Sequence, residues 1–169
     1  MLNPKLRVFL ASSLPLVAAD GVTKELAVRA LQPLVPHRVL GDWFRLTLAF
    51  NRHGAMGLTV GSWSRAVFGL LALLALGVMG VMLWRAGPAD RLRAGAIGLL
   101  AAGAAGNLWD RLRWSEGVVD FVDVGFGSHR FWTFNVADAA LTVGVLALAF
   151  VLWHEDATRP RPGPDGAAP

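Results

Sequence analysis

Two short stretches carry the carboxylates best placed to react. They are Gly117-Val-Val-Asp120-Phe-Val-Asp123 and Phe134-Asn-Val-Ala-Asp138. Gly125, Gly127 and Ser128 lie between them and let the chain double back. Asp120 is then expected in a short connection and Asp138 one to two turns into the last helix, both beside one water molecule. Two acids in a poorly solvated space do not both ionise easily, because like charges raise one pKa. The ionised member can take a proton from water, while its protonated partner polarises a carbonyl and later assists departure of the amine. Amide cleavage of this kind needs neither a metal nor a covalent intermediate. Paired carboxylates also bind cations, carry protons or form structural polar networks. From these residues alone, hydrolysis, a small ion- or proton-coupled transporter, and a structural network all stay open.

A second constellation is Gly103-Ala-Ala-Gly106-Asn107-Leu-Trp-Asp110-Arg111. Gly103 and Gly106 are three apart and can share one helix face, permitting close packing. Asn107 and Asp110 have the same spacing, and Arg111 can neutralise a carboxylate. A helix-terminal network with a local Asp110–Arg111 interaction is favoured over direct catalysis, and such a network can still orient a reactive pair. Asp20 and Lys24 are four apart and face one another along a helix. Pairing is favoured there over contact with a substrate or lipid headgroup. Asn51 can bond a peptide backbone, although an isolated Asn near glycines is more often a turn residue. Asp123 and Glu25 are read as structural or solvent-facing.

Other chemistries have little support. There is no cysteine, hence no disulfide, thiolate metal site or cysteine nucleophile. His37, His53, His129 and His154 show no metal-ligand spacing, so no metal and no cofactor are expected. The serines have no recognisable base. The net charge of +4 comes from basic residues dispersed around apolar runs, which suits contact with phospholipid headgroups better than nucleic-acid binding.

The elements that must hold these groups are mostly apolar. Hydrophobic residues make up 54% of 169 positions and only 17% are charged, against about a quarter in a water-soluble domain. Ala66–Trp84 and Ala94–Trp109 carry no charge, and Phe131–Trp153 carries only Asp138. Each is close to the roughly 20 residues a membrane span needs. Val8–Ala19 is a shorter run with a basic flank, readable as a signal peptide, but it continues helix-compatibly past Asp20 to Val28. Trp63 and Trp84, and Trp132 and Trp153, bracket two of the spans as interfacial aromatics do.

The fold class expected is an α-helical polytopic membrane protein with four transmembrane helices, at about 8–28, 66–84, 94–112 and 132–153. Four crossings gather Asp20, Asn51, Asp110, Asp120 and Asp138 at one membrane face. Segments 1–7, 85–93 and 154–169 carry the denser Lys and Arg, which puts both termini in the cytoplasm and the acids outside. The outward segment, about 29–63, contains Phe44-Arg-Leu-Thr-Leu-Ala-Phe50, whose alternation puts Phe44, Leu46, Leu48 and Phe50 on one strand face. A small sheet resting on the membrane is expected. Residues 1–157 form a single membrane domain, and 158–169, rich in Pro, Gly and Ala, a disordered cytoplasmic tail.

The motifs, taken in order, resemble the lipoprotein signal peptidase family, also called prolipoprotein signal peptidase or signal peptidase II. They are Asp20-Gly-Val-Thr-Lys24, Asn51-Arg-His-Gly-Ala-Met-Gly57, Gly106-Asn-Leu-Trp-Asp-Arg111, Gly117-Val-Val-Asp-Phe-Val-Asp123 and Phe134-Asn-Val-Ala-Asp138. The resemblance spans roughly residues 5–154. It implies an intramembrane aspartyl peptidase of the bacterial cytoplasmic membrane, with Asp120 and Asp138 as the catalytic aspartates. Asp20, Lys24, Asn51, Asn107, Asp110, Arg111 and Asn135 match the family's other polar positions, implied to bind substrate or support the site. The implied substrates are prolipoproteins already carrying diacylglycerol on the lipobox cysteine, cleaved immediately before it, with membrane phospholipid around and no obligate protein partner. The resemblance also implies an extracytoplasmic β-rich cradle and a short amphipathic outward segment near Gly117–Arg130 covering the pocket. One departure stands out: His53 replaces a usual glycine, Gly54 an alanine and Met56 an aromatic.

Overall fold

In the computed structural model, which describes residues 3–54 and 58–158, four long helices carry a small antiparallel sheet. The order is α1 (Pro4–Ala30), β1 (His37–Leu40), β2 (Phe44–Asn51), α2 (Ser64–Arg85), α3 (Arg91–Arg113), β3 (Val118–Phe126), β4 (His129–Arg130) and α4 (Val136–Thr158). Of the expected tail 158–169, Thr158 ends α4, and residues 159–169, like Met56, lie outside the described residues.

Each helix begins where local chemistry allows it. Asn3 caps α1 by accepting from the Lys5 backbone N–H at 3.1 Å, with Pro4 at the first helical position, where its missing N–H costs nothing. The helix runs through Asp20-Gly21 without a break, as the expected span 8–28 required, and packs along α3, so it is integral to the bundle. Asp90 caps α3 through the Arg93 N–H at 3.3 Å, and Arg93 also pairs with Glu155 near the end of α4. Trp63 and Trp84 sit at the two ends of α2 as their spacing suggested.

Among the described residues, three helices are long and apolar enough to cross a membrane: α1, the stretch Gly61–Arg85 around α2, and α4. The run 94–112, expected to be a fourth, does not meet that measure. The reason is positional. Helix α3 lies against α1, α2 and α4 and buries residues on all sides, from Ala94 to Asp110. A helix wrapped in protein needs small residues and tolerates polar ones. α2 is the converse: Leu70, Leu71, Leu73, Leu74, Val78 and Val81 are all exposed, an apolar surface suited to lipid. The expected close packing at Gly103 and Gly106 is present. A methyl group on Gly103 would collide with the Ala137 carbonyl of α4, and one on Gly106 would meet the Asp20 carboxylate.

The sheet has order β1-β2-β3-β4, each neighbour antiparallel. Strand β2 forms where alternation placed it, but not with one continuous apolar face. Leu46 pairs with Val122 and Ala49 with Asp120, so β2 spends one extra residue there in a bulge. Parity changes across it, and Ala49 and Asn51, rather than Leu48 and Phe50, share the face of Val118 and Asp120. The segment 117–130 is not a separate amphipathic cover. It is strand β3, a turn at Gly127, and β4, all in the same sheet. Asp42 ties the two turns together, its Oδ2 accepting the Gly127 N–H at 3.0 Å. That bond is the main reason the exposed Asp42 carboxyl sits below its ordinary pKa.

Candidate active site

Strand β3 and the start of α4 are stitched together by backbone bonds. The N–H groups of Phe121 and Val122 both donate to the Phe134 carbonyl, at 3.1 and 2.8 Å, and Phe134 N–H returns to Val122 O at 3.0 Å. This stitch brings Asp120 beside Asp138. Asp120 is not in a connection, as the spacing suggested, but within β3; it is only 3% exposed. Asp138 is in the first turn of α4, closer to the helix start than expected, because the helix begins at Val136 and not within the apolar run from Phe131.

Asn135 is the residue that joins the two acids. It precedes α4, and its side-chain oxygen accepts the Asp138 N–H at 2.8 Å, while its own N–H donates to Asp138 Oδ2 at 3.2 Å. This reciprocal pattern is a capping box with Asp in place of Glu or Gln. The Asn135 amide also donates to Asp120 Oδ1 at 2.7 Å and to Asn107 Oδ1 at 3.1 Å. Asn107 completes the ring, its Nδ2 donating to Asp138 Oδ1 at 2.7 Å. Asn51, at the end of β2, donates to Asp120 Oδ2 at 3.3 Å. Its oxygen accepts the His53 N–H at 2.9 Å, so it holds a turn and touches the acid at once. Gly117 permits this approach: its φ is +110°, and a side chain there would strike the Asn51 carbonyl.

Beneath the acids lies a buried ion cluster. Lys24 Nζ is 2.7 Å from Asp20 Oδ2 and 2.8 Å from Asp110 Oδ2, and donates to Asn107 Oδ1 at 3.1 Å. The Asp20–Lys24 pairing read from their spacing is present. The expected Asp110–Arg111 interaction is not: Asp110 faces inward to Lys24, whereas Arg111 donates to the carbonyls of Asn107 (3.0 Å) and His53 (3.2 Å) and lies over the Phe68 ring. Asp123 points away from Asp120 and is held by Arg130 (2.6 Å) and Thr47 (2.8 Å), a structural role. Glu25 pairs with Arg29 and Arg113 near the surface.

Asp120, Asp138, Asn51, Asn107 and Arg111 line one cavity of about 660 Å³ whose other wall is apolar, with Leu71, Ala75, Met79 and Leu141. Burial pushes the Asp120 carboxyl up to about 7, and the Asp138 charge adds to the effect; the amides of Asn51 and Asn135 and the Lys24 charge oppose it. One carboxyl kept protonated beside another, in a mainly apolar pocket with one polar side, is equipped for acid–base chemistry on a bond held at the edge of an apolar segment. The wall residues Phe68, Met79 and Leu141 carry no sequence signal beyond helical apolarity. At Gly54 a methyl group would run into the Phe68 ring bordering the cavity.

The fold and this site define a helical integral membrane protein with a paired-carboxylate pocket. The model of signal peptidase (SPase) II matches residues 12–154, and the chain belongs to that family and is a protease. The lipoprotein signal peptidase of Geobacter sulfurreducens is 35% identical over 92% of this chain and 97% of its own. That of Pseudomonas syringae pv. tomato is 36% identical over 85% and 84%. Two bacterial membrane enzymes solved by the in meso method superpose with TM-scores of 0.81 and 0.75, at 25% and 27% identity, covering 91% and 85% of this chain and 92% and 91% of theirs. Membership selects hydrolysis over the transporter alternative.

Proposed function

We propose that this chain removes signal peptides from bacterial prolipoproteins, cutting immediately before the diacylglyceryl-modified lipobox cysteine. Asp120 and Asp138 would be its reacting pair. The observation that carries this reading is the shared Asn135, which bonds both acids within one cavity. Asp120, buried and pushed up to about 7, is the proton donor to the scissile carbonyl oxygen. Asp138 receives two donors at the N-terminal end of α4, where an anion is stabilised, and takes the proton from water. The hydroxide equivalent adds to the carbonyl carbon. The tetrahedral intermediate then collapses as its C–N bond breaks. The proton held by Asp138 passes to the departing amine of the cysteine, and Asp120 recovers its own as the new carboxyl forms. Asn107, Asn135, Asp20, Lys24 and Asp110 support the pair, and Asn51 and Arg111 face the substrate from the cavity rim.

The apolar wall of Leu71, Ala75, Met79 and Leu141 receives substrate from the bilayer side. The acyl chains remain in lipid and fix the cysteine at membrane-edge depth, each buried CH₂ contributing about 0.8 kcal/mol. Helix α3 is the fourth span, shielded by its three neighbours. The termini are cytoplasmic, the site lies near the outer face of the cytoplasmic membrane, and residues 1–157 act as one domain. Reconstituted protein is expected to cleave a diacylglyceryl-modified precursor, with the product mass placing the cut before cysteine. The unmodified precursor should be cleaved at least about 100-fold less efficiently, on the strength of that acyl burial. Equal cleavage of both precursors would overturn the lipid-anchored reading.

A further inference from the structure

A lysine has three N–H donors and no acceptor. All three of Lys24's are taken, and the side chain is 3% exposed as a residue, inside the bundle. What its partners do next is informative. Asp20, the first, uses its other oxygen to accept the Ala137 N–H at 2.8 Å, in the first turn of α4 and one residue before Asp138. Asp110, the second, accepts the Val119 N–H at 3.1 Å, one residue before Asp120 on β3. Asn107, the third, donates directly to Asp138. Every arm of Lys24 therefore ends within one residue of a reacting acid.

The third arm also decides an orientation. An amide can turn either edge toward a neighbour, and its two edges are opposite in function. With Lys24 and Asn135 both donating to Asn107 Oδ1, the oxygen edge is committed and the NH₂ edge must face Asp138. Removing the ammonium leaves Asn135 alone to hold that oxygen edge, so the amide is less tightly fixed against Asp138. The two other arms fix position. β3 and α4 come from distant parts of the chain, and their backbone stitch at Phe134 lies on the far side of Asp120 from Val119. The Lys24 arms hold the near side.

We propose that Lys24 is the positioning residue of the site, setting the separation and orientation of the Asp120–Asp138 pair through buried arms that end on β3, on α4 and on Asn107. The inference rests on the peptidase reading above. A reacting pair loosened by about 1 Å loses about 100-fold in rate, so an effect of that size is expected in kcat, with substrate binding at the cavity wall left nearly unchanged.

The test needs a variant that leaves the net charge of the buried cluster unchanged. Lys24→Met with Asp20→Asn conserves the net charge of the cluster and keeps an oxygen to accept the Ala137 N–H. Lys24→Gln with Asp20→Asn is the conservative counterpart, restoring a donor toward Asn107. Both are reconstituted beside the normal protein and D120N, with thermal unfolding in detergent followed in parallel. The expected result is a folded Met variant with kcat down about 100-fold, KM within about threefold, and partial recovery of kcat in the Gln variant. The alkaline limb of its pH–rate profile should also move upward, since the Lys24 charge lowers the Asp120 pKa. Retained kcat, a loss of kcat with the alkaline limb unmoved, or failure of both variants to fold would overturn the proposal. Turnover by D120N would fail the reacting pair itself, an outcome independent of how the Lys24 variants behave.

Discussion

At the scale of a single residue, the proposed chemistry turns on Asp120. Its carboxyl, ordinarily near 3.8, sits at about 7 because burial disfavours its charge and Asp138 lies close by. The sign follows directly. In the proposed mechanism the protonated form is the working acid, so activity is expected to be lost as pH rises through about 7, approaching tenfold per unit beyond it. The same raised value means that this group's contribution to stability is full below 3.8 and lost as pH rises through about 7. Asn51 donates to the charged form and holds the value down. Asn51→Ala should therefore move the alkaline limb to higher pH, by up to about one unit, measurable in a pH–rate profile with modified precursor. A limb that stays in place or moves down would contradict the assignment of Asp120 as acid. The identities of these residues were legible in the sequence as paired acids near apolar runs. Their partners were not: the contact of Lys24 with Asp110 spans more than eighty positions, and spacing offered the neighbouring Arg111 instead.

Close approach between helices is what lets these side chains meet. Gly106 faces both the Asp20 carboxylate and the Ala137 methyl group, so α3 reaches α1 and α4 at one level of the bundle. Gly106→Ala is expected to displace Asp20 from Ala137 and Lys24. The consequence is a thermal midpoint in detergent lowered by several degrees, corresponding to about 1–3 kcal/mol of overpacking, with reduced turnover. Gly21→Ala, in the same stretch of α1 but with nothing near its missing side chain, serves as the control and should be close to neutral. Equal effects of the two would deny the close approach its role. Helical elements were readable from apolar runs, and the Gly103/Gly106 spacing carried real packing. Strand β3 was not readable. Val118, Val119, Asp120 and Phe121 are all buried, so both faces are covered and no alternation survives to signal a strand. The start of α4 was misplaced by the apolar run from Phe131, although Asn135-Val-Ala-Asp138 is a capping signal that the apolar run overrode.

At the scale of the whole molecule, an ordinary bundle has been given an unusual interior. Its central helix carries Asn107 and Asp110, and its outer helix α2 turns apolar side chains outward. Polar groups concentrate where α1, α3 and α4 meet the sheet, and the cavity opens from that cluster onto an apolar wall. A membrane protein that buries so many charges gives up stability to do so, and here their hydrogen bonds converge on two acids. Composition and span counting could gather the acids at one end. Only the sheet register and the Phe134 stitch bring β3 and α4 into one site. The most direct measurement is cleavage of diacylglyceryl-modified precursor by reconstituted Asp120→Asn and Asp138→Asn, each shown by thermal unfolding to be folded. Each substitution alone is expected to lower kcat by at least about 100-fold. Full cleavage by either folded variant would contradict a reaction carried by the pair.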